Sequence, residues 1–294
     1  MDQYQTIGPA WDVLKAAARL AGINTTGAQL IRDGSNTLYR LPGGIVARIG
    51  PPGSGERATR EVETSRWILE HGIPVTKTLD DVAQDVVVHD RPVTWWETLP
   101  SHRAATPAEL ATVLRALHAL PTPDDLSLPL YDPFCGLGQC ADTAPSLSDS
   151  ERSWLKQQIT RLRAQYRETS NPKLIHGDAW QGNVAVTESG MAILLDLETV
   201  SLGRQHWDLV QVAADFTDFA RISVSDYESF VEAYGGFDVA HLSDYRTLAD
   251  IAELRWTCFA LKKAATSTAA AREVRHRLEC LRGEHPRPWA WNAL

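Results

Sequence analysis

The sequence predicts an α+β protein in which a small lobe with an antiparallel β-sheet precedes a larger helical lobe. Short apolar segments separated by turn residues fill much of residues 1–100, and one helical segment interrupts them. From Thr106 onwards, helix-capping signals and helical periodicity dominate the chain. A strand, a turn and a second strand over residues 184–195 interrupt this helical part. We therefore predict two domains, 1–100 and 101–294, with the boundary near residues 98–105.

The predicted N-terminal domain begins with a helix and continues with a β-hairpin. The helix is expected over Pro9–Ala21, because proline fits the first turn of a helix and Gly22 can end it. Turn residues between Leu41 and Ile45 separate the two strands of the hairpin. The segment 57–70 has helical periodicity and stops before a proline. The strands are predicted at Thr37–Leu41, Ile45–Ile49, 85–89 and 92–96.

Capping boxes mark two helices of the predicted C-terminal domain. Thr106, with a Glu three residues later, predicts a helix through Ala119, and Ser148, with a Glu at the same spacing, predicts a helix to about residue 168. The segment 121–145 is rich in Pro, Gly and Asp and is long for a connection, so we expect it to be functional or partly ordered by partners. Further helices are predicted to begin at Trp207, Ser225 and Ser243.

Composition and charge indicate a cytoplasmic globular protein. The 29 Lys and Arg against 37 Asp and Glu give a net charge of -8, which argues against a nucleic-acid partner. The chain has neither an apolar segment long enough to span a bilayer nor an N-terminal signal pattern, so no membrane association is expected. Cysteines stand at positions 135, 140, 258 and 280, without the spacing of a zinc site, and are expected to be free thiols.

A set of polar residues with the spacing used in phosphoryl transfer lies in the second half of the chain. Asp178 follows His176 and Gly177, and Asn183 comes five residues after Asp178. A predicted β-hairpin then leads to Asp196. In kinase-type transfer, the first Asp accepts the proton of the attacking hydroxyl, while the Asn and the second Asp hold magnesium. Asp178 is therefore the candidate catalytic residue, and Asn183 and Asp196 are the candidate metal ligands.

This segment resembles the signature of the aminoglycoside phosphotransferase and choline kinase family. That signature is His-Gly-Asp, four residues, Asn, and then Asp-x-Glu or Asp-x-Asp, although this chain has Trp180 and Gln181 where the family usually has His and Pro. The resemblance implies a bilobal protein-kinase-like fold that uses ATP and Mg²⁺ to phosphorylate a small-molecule hydroxyl. It also implies that His176 and Asp208 brace the catalytic loop.

The nucleotide-binding candidates lie in the N-terminal domain. The turn that contains Gly34, Ser35 and Asn36 is expected to cradle phosphate oxygens, because glycine allows a close backbone approach. Protein kinases place a Lys on the next strand, whereas this chain has Arg48 there, with Glu61 as its expected partner on the following helix.

The segment after the predicted strand 92–96 resembles the hinge of the same family. Main-chain groups of Glu97 and Thr98 are expected to meet the adenine edge. Of Trp95 and Trp96, only one can face the adenine slot, because successive strand residues point to opposite faces.

The acceptor is expected to be a small molecule and not a protein. Only the short segment 197–206 separates Asp196 from the helix predicted at Trp207, which leaves no room for a peptide-binding activation segment. Acidic residues follow, and Asp215 and Asp218 either attract a cationic acceptor or belong to solvated helix faces. Candidate acceptor-side residues are Trp180, Glu198, Asp215 and Asp218.

Three functions stay open from the sequence. The first is a phosphotransferase acting on an aminoglycoside or other amino sugar. The second is a metabolic kinase of a sugar or of an amino alcohol such as choline or homoserine. The third is a catalytically silent nucleotide-binding protein, which Arg48 and the Trp180-Gln181 pair favour. Retention of Asp178, Asn183 and Asp196 argues for the enzymes.

Overall fold

The computed structural model describes residues 9–84 and 86–294. The helices are α1 Pro9–Ala21, α2 Gly55–Glu70, α3 Pro107–Ala119, α4 Leu137–Thr143, α5 Asp149–Gln165, α6 Trp207–Thr217, α7 Val224–Tyr234, α8 Tyr245–Ala264 and α9 Thr268–Leu281. The strands are β1 Gln29–Asp33, β2 Thr37–Leu41, β3 Ile45–Ile49, β4 Val86–Val88, β5 Arg91–Glu97, β6 His102–Ala104, β7 Lys173–Ile175, β8 Val184–Thr187, β9 Ala192–Leu194 and β10 Ser201–Gly203. Antiparallel strands in the N-terminal part and helices in the C-terminal part confirm the predicted α+β class.

The described residues form two compact units, each drawn from separate segments of the chain. The first comprises the described part of Met1–Ala105 together with Thr122–Leu128 and Gly182–Val200. The second comprises Thr106–Pro121, Pro129–Gln181 and Ser201–Leu294. The segment Gly182–Val200 therefore groups with the N-terminal sheet, whereas the division predicted from sequence assigns it to the C-terminal domain.

A five-stranded antiparallel sheet organises the first unit. Its strand order is β1-β2-β3-β5-β4, so β3 lies at the centre. One face of the sheet packs with α1, where Leu14 and Ala17 join Ala47 and Trp95 in a buried core. Burial of this apolar surface holds the sheet and α1 together. Alternation along the strands turns neighbouring residues, such as Arg48, to the other face.

A second, three-stranded sheet of the first unit has the order β6-β8-β9. Strand β8 runs directly after Asn183, and β9 ends two residues before Asp196. The β8–β9 pair confirms the predicted hairpin. Thr76, which lies after α2, donates its backbone N–H to Leu194 of β9 at 3.0 Å. This bond joins the hairpin to the rest of the first unit.

The second unit is helical apart from the short β7–β10 pair. Both capping boxes form as predicted: the side chains of Thr106 and Ser148 each accept the backbone N–H of the Glu three residues later. Helix α8 buries residues on all of its sides, as its many buried positions show, and it packs with α9 and α6. None of the helices described here is long and apolar enough to cross a membrane.

Most element predictions are confirmed, and a few elements differ from the predicted bounds. α1, β2, β3 and α3 have the predicted bounds. The predicted strand 85–89 appears as Val86–Val88, and its first residue, Asp85, lies outside the described residues. α5 ends at Gln165, before the expected residue 168. The unpredicted α4 occupies one part of the segment 121–145, and it follows a left-handed Gly136 with no side-chain cap.

Candidate active site

A cavity of about 370 Å³ opens within the first unit. It collects residues from the central strands, the turn after β1, α2, the end of β5 and the segments just before β8 and just after β9. Predicted site residues that line it are Ser35, Asn36, Arg48, Glu61, Glu97, Thr98, Asn183 and Asp196. The structure therefore brings these predicted residues to one cavity, whereas Gly34, the remaining nucleotide-binding candidate, is not among its lining residues.

Arg48 is the central cation of this cavity. One guanidinium nitrogen, Nη1, donates to Glu61 on α2, as predicted. The other, Nη2, lies 2.6 Å from Glu198 Oε2 and 3.3 Å from Asp196 Oδ1. The Arg48 side chain is 13% exposed, so these ion pairs are poorly screened by water. Arg48 thus holds a strand, a helix and the segment after β9 through three carboxylates.

Glu61 is the most buried carboxylate of this group. Burial raises the pKa of Glu61 to about 7, and the nearby carboxylates of Asp196 and Glu198 also raise it, whereas Arg48 lowers it. The positive charge of Arg48 is therefore shared among three acids that repel one another. A bound phosphate group would compete with these acids for the same guanidinium.

The turn predicted to cradle phosphates contacts the same network. Asn36 Nδ2 donates to Glu198 Oε2 at 3.0 Å, which ties the turn after β1 to the segment after β9. The backbone N–H of Gly34 donates to the Asn36 carbonyl at 3.2 Å. Ser35 and Asn36 line the cavity. Glu198 was predicted on the acceptor side, and its contacts instead place it with Arg48 and Asn36 in the first unit.

The predicted hinge residues Glu97 and Thr98 line the cavity, and their backbone N–H groups form hydrogen bonds within the unit. The backbone N–H of Glu97 donates to Lys77 and that of Thr98 donates to Gly44, so these two donors are engaged within the unit. The Thr98 hydroxyl is buried in the cavity wall without a hydrogen-bond partner in the described chain. This orphaned hydroxyl fits a polar ligand in the cavity.

Apolar side chains form the rest of the cavity wall. Of the tryptophan pair, Trp96 lines the cavity and Trp95 lies in the core, which confirms that only one can face the slot. Sequence reasoning missed further lining residues, although strand alternation relative to Arg48 would have indicated those on β2 and β3. They are Ile31, Leu38, Val46, Leu99 and Leu195. An apolar slot of this kind suits the flat ring of a nucleobase.

Asn183 and Asp196 are the oxygen donors of the cavity. Asn183 ends a single 3₁₀ turn before β8, and its backbone carbonyl accepts the N–H of Leu195 at 2.9 Å. Asp196 has a φ of 55°, a left-handed conformation that is uncommon for residues other than glycine. Its side chain is 40% exposed, which leaves it accessible. An amide oxygen and a carboxylate fit a hard cation such as Mg²⁺.

The second unit carries the loop with the predicted catalytic residue. Asp208, at the start of α6, accepts the backbone N–H of His176 at 2.6 Å and that of Gly177 at 2.8 Å. The same carboxylate lies 3.0 Å from His118 Nε2. The backbone N–H of Asp178 donates to His176 Nδ1 at 3.3 Å. His176 and Asp208 therefore brace the loop by hydrogen bonds, while Asp178 lies exposed on it.

Two aromatic side chains hold the other side of the same loop. Tyr131 Oη and Trp207 Nε1 both donate to the carbonyl of Gly177, at 3.1 and 3.2 Å. Burial raises the pKa of Tyr131, so its hydroxyl stays protonated as a donor. Gly177 has a φ of 82°, which favours glycine at this position. Trp180, further along the loop, is 43% exposed.

The predicted acidic acceptor wall is not present at Asp215 and Asp218. Asp215 lies 2.9 Å from Arg221, and Asp218 lies 2.8 Å from both Arg246 and Arg287. Only 2% of Asp218 is exposed. Neither predicted alternative, a cation-attracting wall or a solvated helix face, fits these two aspartates, because both are buried and arginines from later in the chain neutralise them. Only Arg221 is close to these aspartates in the sequence, since Arg246 and Arg287 are distant along the chain.

Comparison with known proteins identifies relatives over most of the chain. A model of the phosphotransferase enzyme family matches residues 27–251. An aminoglycoside 3'-phosphotransferase from Streptomyces fradiae is 25% identical over 242 residues, which are 74% of this chain and 89% of that protein. The range matched by the family model includes the cavity residues of the first unit and the loop around Asp178.

Solved structures share the fold at low sequence identity. An amicoumacin kinase in complex with AMP-PNP and Ca²⁺ has a TM-score of 0.72 and 14% identity, and the match covers 95% of each chain. A choline kinase from Streptococcus pneumoniae has a TM-score of 0.64 and 14% identity, covering 92% of this chain and 98% of that one. These similarities confirm the kinase-like fold predicted from the sequence.

Proposed function

The chain belongs to the phosphotransferase enzyme family, and we propose that it is a kinase that transfers the γ-phosphoryl group of ATP to a hydroxyl of an aminoglycoside or other amino sugar. The observation that carries this proposal is the cavity of the first unit. It combines an apolar slot with Arg48 and with the oxygen donors Asn183 and Asp196. The amino-sugar acceptor is supported by the relative from Streptomyces fradiae.

Different cavity residues would bind different parts of the nucleotide. Leu38, Val46 and Trp96 would hold the adenine ring, and the orphaned Thr98 hydroxyl would bond to a polar edge of the nucleoside. Arg48 would bind phosphate oxygens, since a guanidinium donates two parallel hydrogen bonds. Asn183 and Asp196 would hold Mg²⁺, which when bound neutralises charge on the transferring phosphoryl group.

Arg48 would have to change partners on nucleotide binding. Its Nη2 now contacts Glu198 and Asp196. A phosphate oxygen that takes the place of these carboxylates would free Asp196 for the metal, while Glu61 continues to hold Nη1. The pair formed by Arg48 and Glu61 would thus orient the cation in both states.

Asp178 would act on the acceptor. Its carboxylate would orient the acceptor hydroxyl and take its proton, as the hydroxyl oxygen forms a bond to the γ-phosphorus. The bond between that phosphorus and the bridging oxygen breaks, and ADP leaves with the electron pair. Asp208 would keep the loop in place through the two backbone N–H groups it accepts.

An acceptor screen tests the proposed function. Purified protein with ATP or GTP and Mg²⁺ is incubated with aminoglycosides, other sugars and amino alcohols, and nucleotide consumption and product mass are both measured. We expect turnover that depends on the acceptor and a product with one added phosphoryl group. Nucleotide binding without any turnover across the panel would favour the silent protein, and preferred turnover of an amino alcohol would favour the metabolic kinase.

A further inference from the structure

A cluster of metal-ligating side chains lies in the second unit at the end of α9. His276 and Glu279 stand on the last turns of the helix, and His285 follows it in the chain. One ligand atom from each lies within 4.8 Å of the others. Within the described part of the chain, no other group of three His, Cys, Asp or Glu side chains meets this distance.

The spacing of the three ligand atoms is compatible with one tetrahedral zinc ion. Nitrogen and oxygen ligands at about 2.0–2.1 Å from zinc lie about 3.3 Å apart. His285 Nε2 is 3.2 Å from Glu279 Oε2, and the ligand atom of His276 lies within 4.8 Å of both. Cys280 Sγ is 3.7 Å from His276 Nε2 but does not belong to the group. The three side chains therefore approach the spacing of ligands around one ion.

The backbone holds the turn that brings His285 back over α9. Gly283 has a φ of 79°, and its N–H donates to the carbonyl of Cys280 at 2.9 Å. The next residue donates its N–H to the carbonyl of Glu279 at 3.0 Å. The carbonyl of His285 accepts the indole N–H of Trp289 at 3.1 Å. These bonds fix the turn without a metal, so the ligands are partly ordered in advance.

We propose that His276, Glu279 and His285 bind one Zn²⁺ ion. Two imidazoles and a carboxylate suit zinc and not Mg²⁺, which prefers an oxygen-only shell. The ion would join the last turns of α9 to the turn that follows. That turn leads to Trp289 and Trp291, which pack against Phe219, so zinc would stabilise the docked C-terminal segment.

Metal binding to the full chain tests this proposal. Protein freed of metal by a chelator is titrated with Zn²⁺ in the presence of excess Mg²⁺, by competition with a chromogenic zinc chelator. We expect one Zn²⁺ per chain and at least tenfold weaker binding in His285→Ala and in Glu279→Gln. Zinc should raise the Tm of the parent but not that of His285→Ala, because a ligand that binds only the folded state stabilises it.

Two control variants separate this site from other binding. His241 Nδ1 lies 3.3 Å from Asp238 Oδ2, a contact of the same kind, so His241→Ala should leave zinc binding unchanged. Asp196→Asn should also retain zinc binding, because Asp196 lines the cavity of the first unit. The absence of a saturable site, or equal zinc affinity in the parent and His285→Ala, would overturn the proposal.

Discussion

Arg48 Nη2 lies 2.6 Å from Glu198 Oε2, although the two residues are far apart in the sequence. The same guanidinium contacts Glu61 and Asp196, so a single strand residue organises the charged part of the cavity. A lysine would supply one charged nitrogen, whereas arginine donates to several carboxylates at once. This network is the reason to expect that Arg48 replaces the lysine that protein kinases use.

Replacing Arg48 should weaken nucleotide use. We expect Arg48→Ala to lower kcat/KM for ATP by about 10- to 100-fold, since a hydrogen bond to a charged group contributes about 1.5–3 kcal/mol. Arg48→Lys should restore part of the loss. Arg66→Ala is a suitable control, because Arg66 lies on α2 and contacts Thr78. Steady-state kinetics would contradict the assignment if Arg48→Ala and Arg66→Ala behaved alike.

Replacing Asp208 should disturb the catalytic loop and spare the nucleotide cavity. Asparagine keeps one acceptor oxygen but turns an NH₂ group towards a backbone N–H, so we expect a lower kcat and a loss of about 1–3 kcal/mol in unfolding free energy. Tyr234→Phe removes only the hydroxyl beside His118, and its kcat should stay within a few-fold of the parent. A normal kcat in Asp208→Asn would show that these bonds do not brace the loop.

Replacing Asp218 should change stability and leave the acceptor KM alone. Asp218 is buried against Arg246 and Arg287, and Asp218→Asn would weaken both pairs, although partial exposure of the arginines reduces the effect. We expect a loss of about 1–3 kcal/mol in urea unfolding. Asp226→Asn, at an exposed helix start, should lower the free energy of unfolding by less than Asp218→Asn does. A large rise in acceptor KM without destabilisation would restore the acceptor-binding role.

Titration of Glu253 should make unfolding depend on pH. Burial raises the pKa of Glu253 to about 7 from its ordinary 4.5, and Arg246 opposes this shift. Between these values the native state keeps a proton that the unfolded state releases, so the free energy of unfolding should fall as pH rises. Between these two pKa values, we expect the free energy of unfolding of the parent to fall by up to about 3 kcal/mol relative to that of Glu253→Gln. Above the higher value the difference should change little. A flat difference between the two proteins would contradict the raised pKa.

Local signals predicted much of the fold. The capping boxes at Thr106 and Ser148 placed two helix starts correctly, because a cap is a contact between residues three apart. β6 was missed because it has three residues, His102–Ala104, and is a strand only through pairing with β8. Such pairing depends on residues far away in the sequence, which no local pattern contains.

The sequence also predicted part of the candidate site. Motif spacing predicted Asn183 and Asp196 as metal ligands, and strand position predicted Arg48 with Glu61 as its partner. All four residues line the cavity, and Arg48 contacts Glu61. The sequence did not indicate that Glu198 contacts Arg48, because this ion pair depends on how the segment after β9 meets the central sheet. Nor did it indicate the arginine partners of Asp218, which come from α8 and from beyond α9.

The most direct test of the proposed function compares the parent with Asp178→Asn in one phosphoryl-transfer assay. Transfer from γ-labelled ATP to the best acceptor of the screen is measured alongside nucleotide binding to each protein. Loss of a positioned base typically costs about 10²- to 10⁴-fold in rate, so we predict at least a 100-fold slower transfer with ATP affinity within a few-fold of the parent. Transfer by Asp178→Asn within a few-fold of the parent rate would contradict the proposed role of Asp178 in phosphoryl transfer.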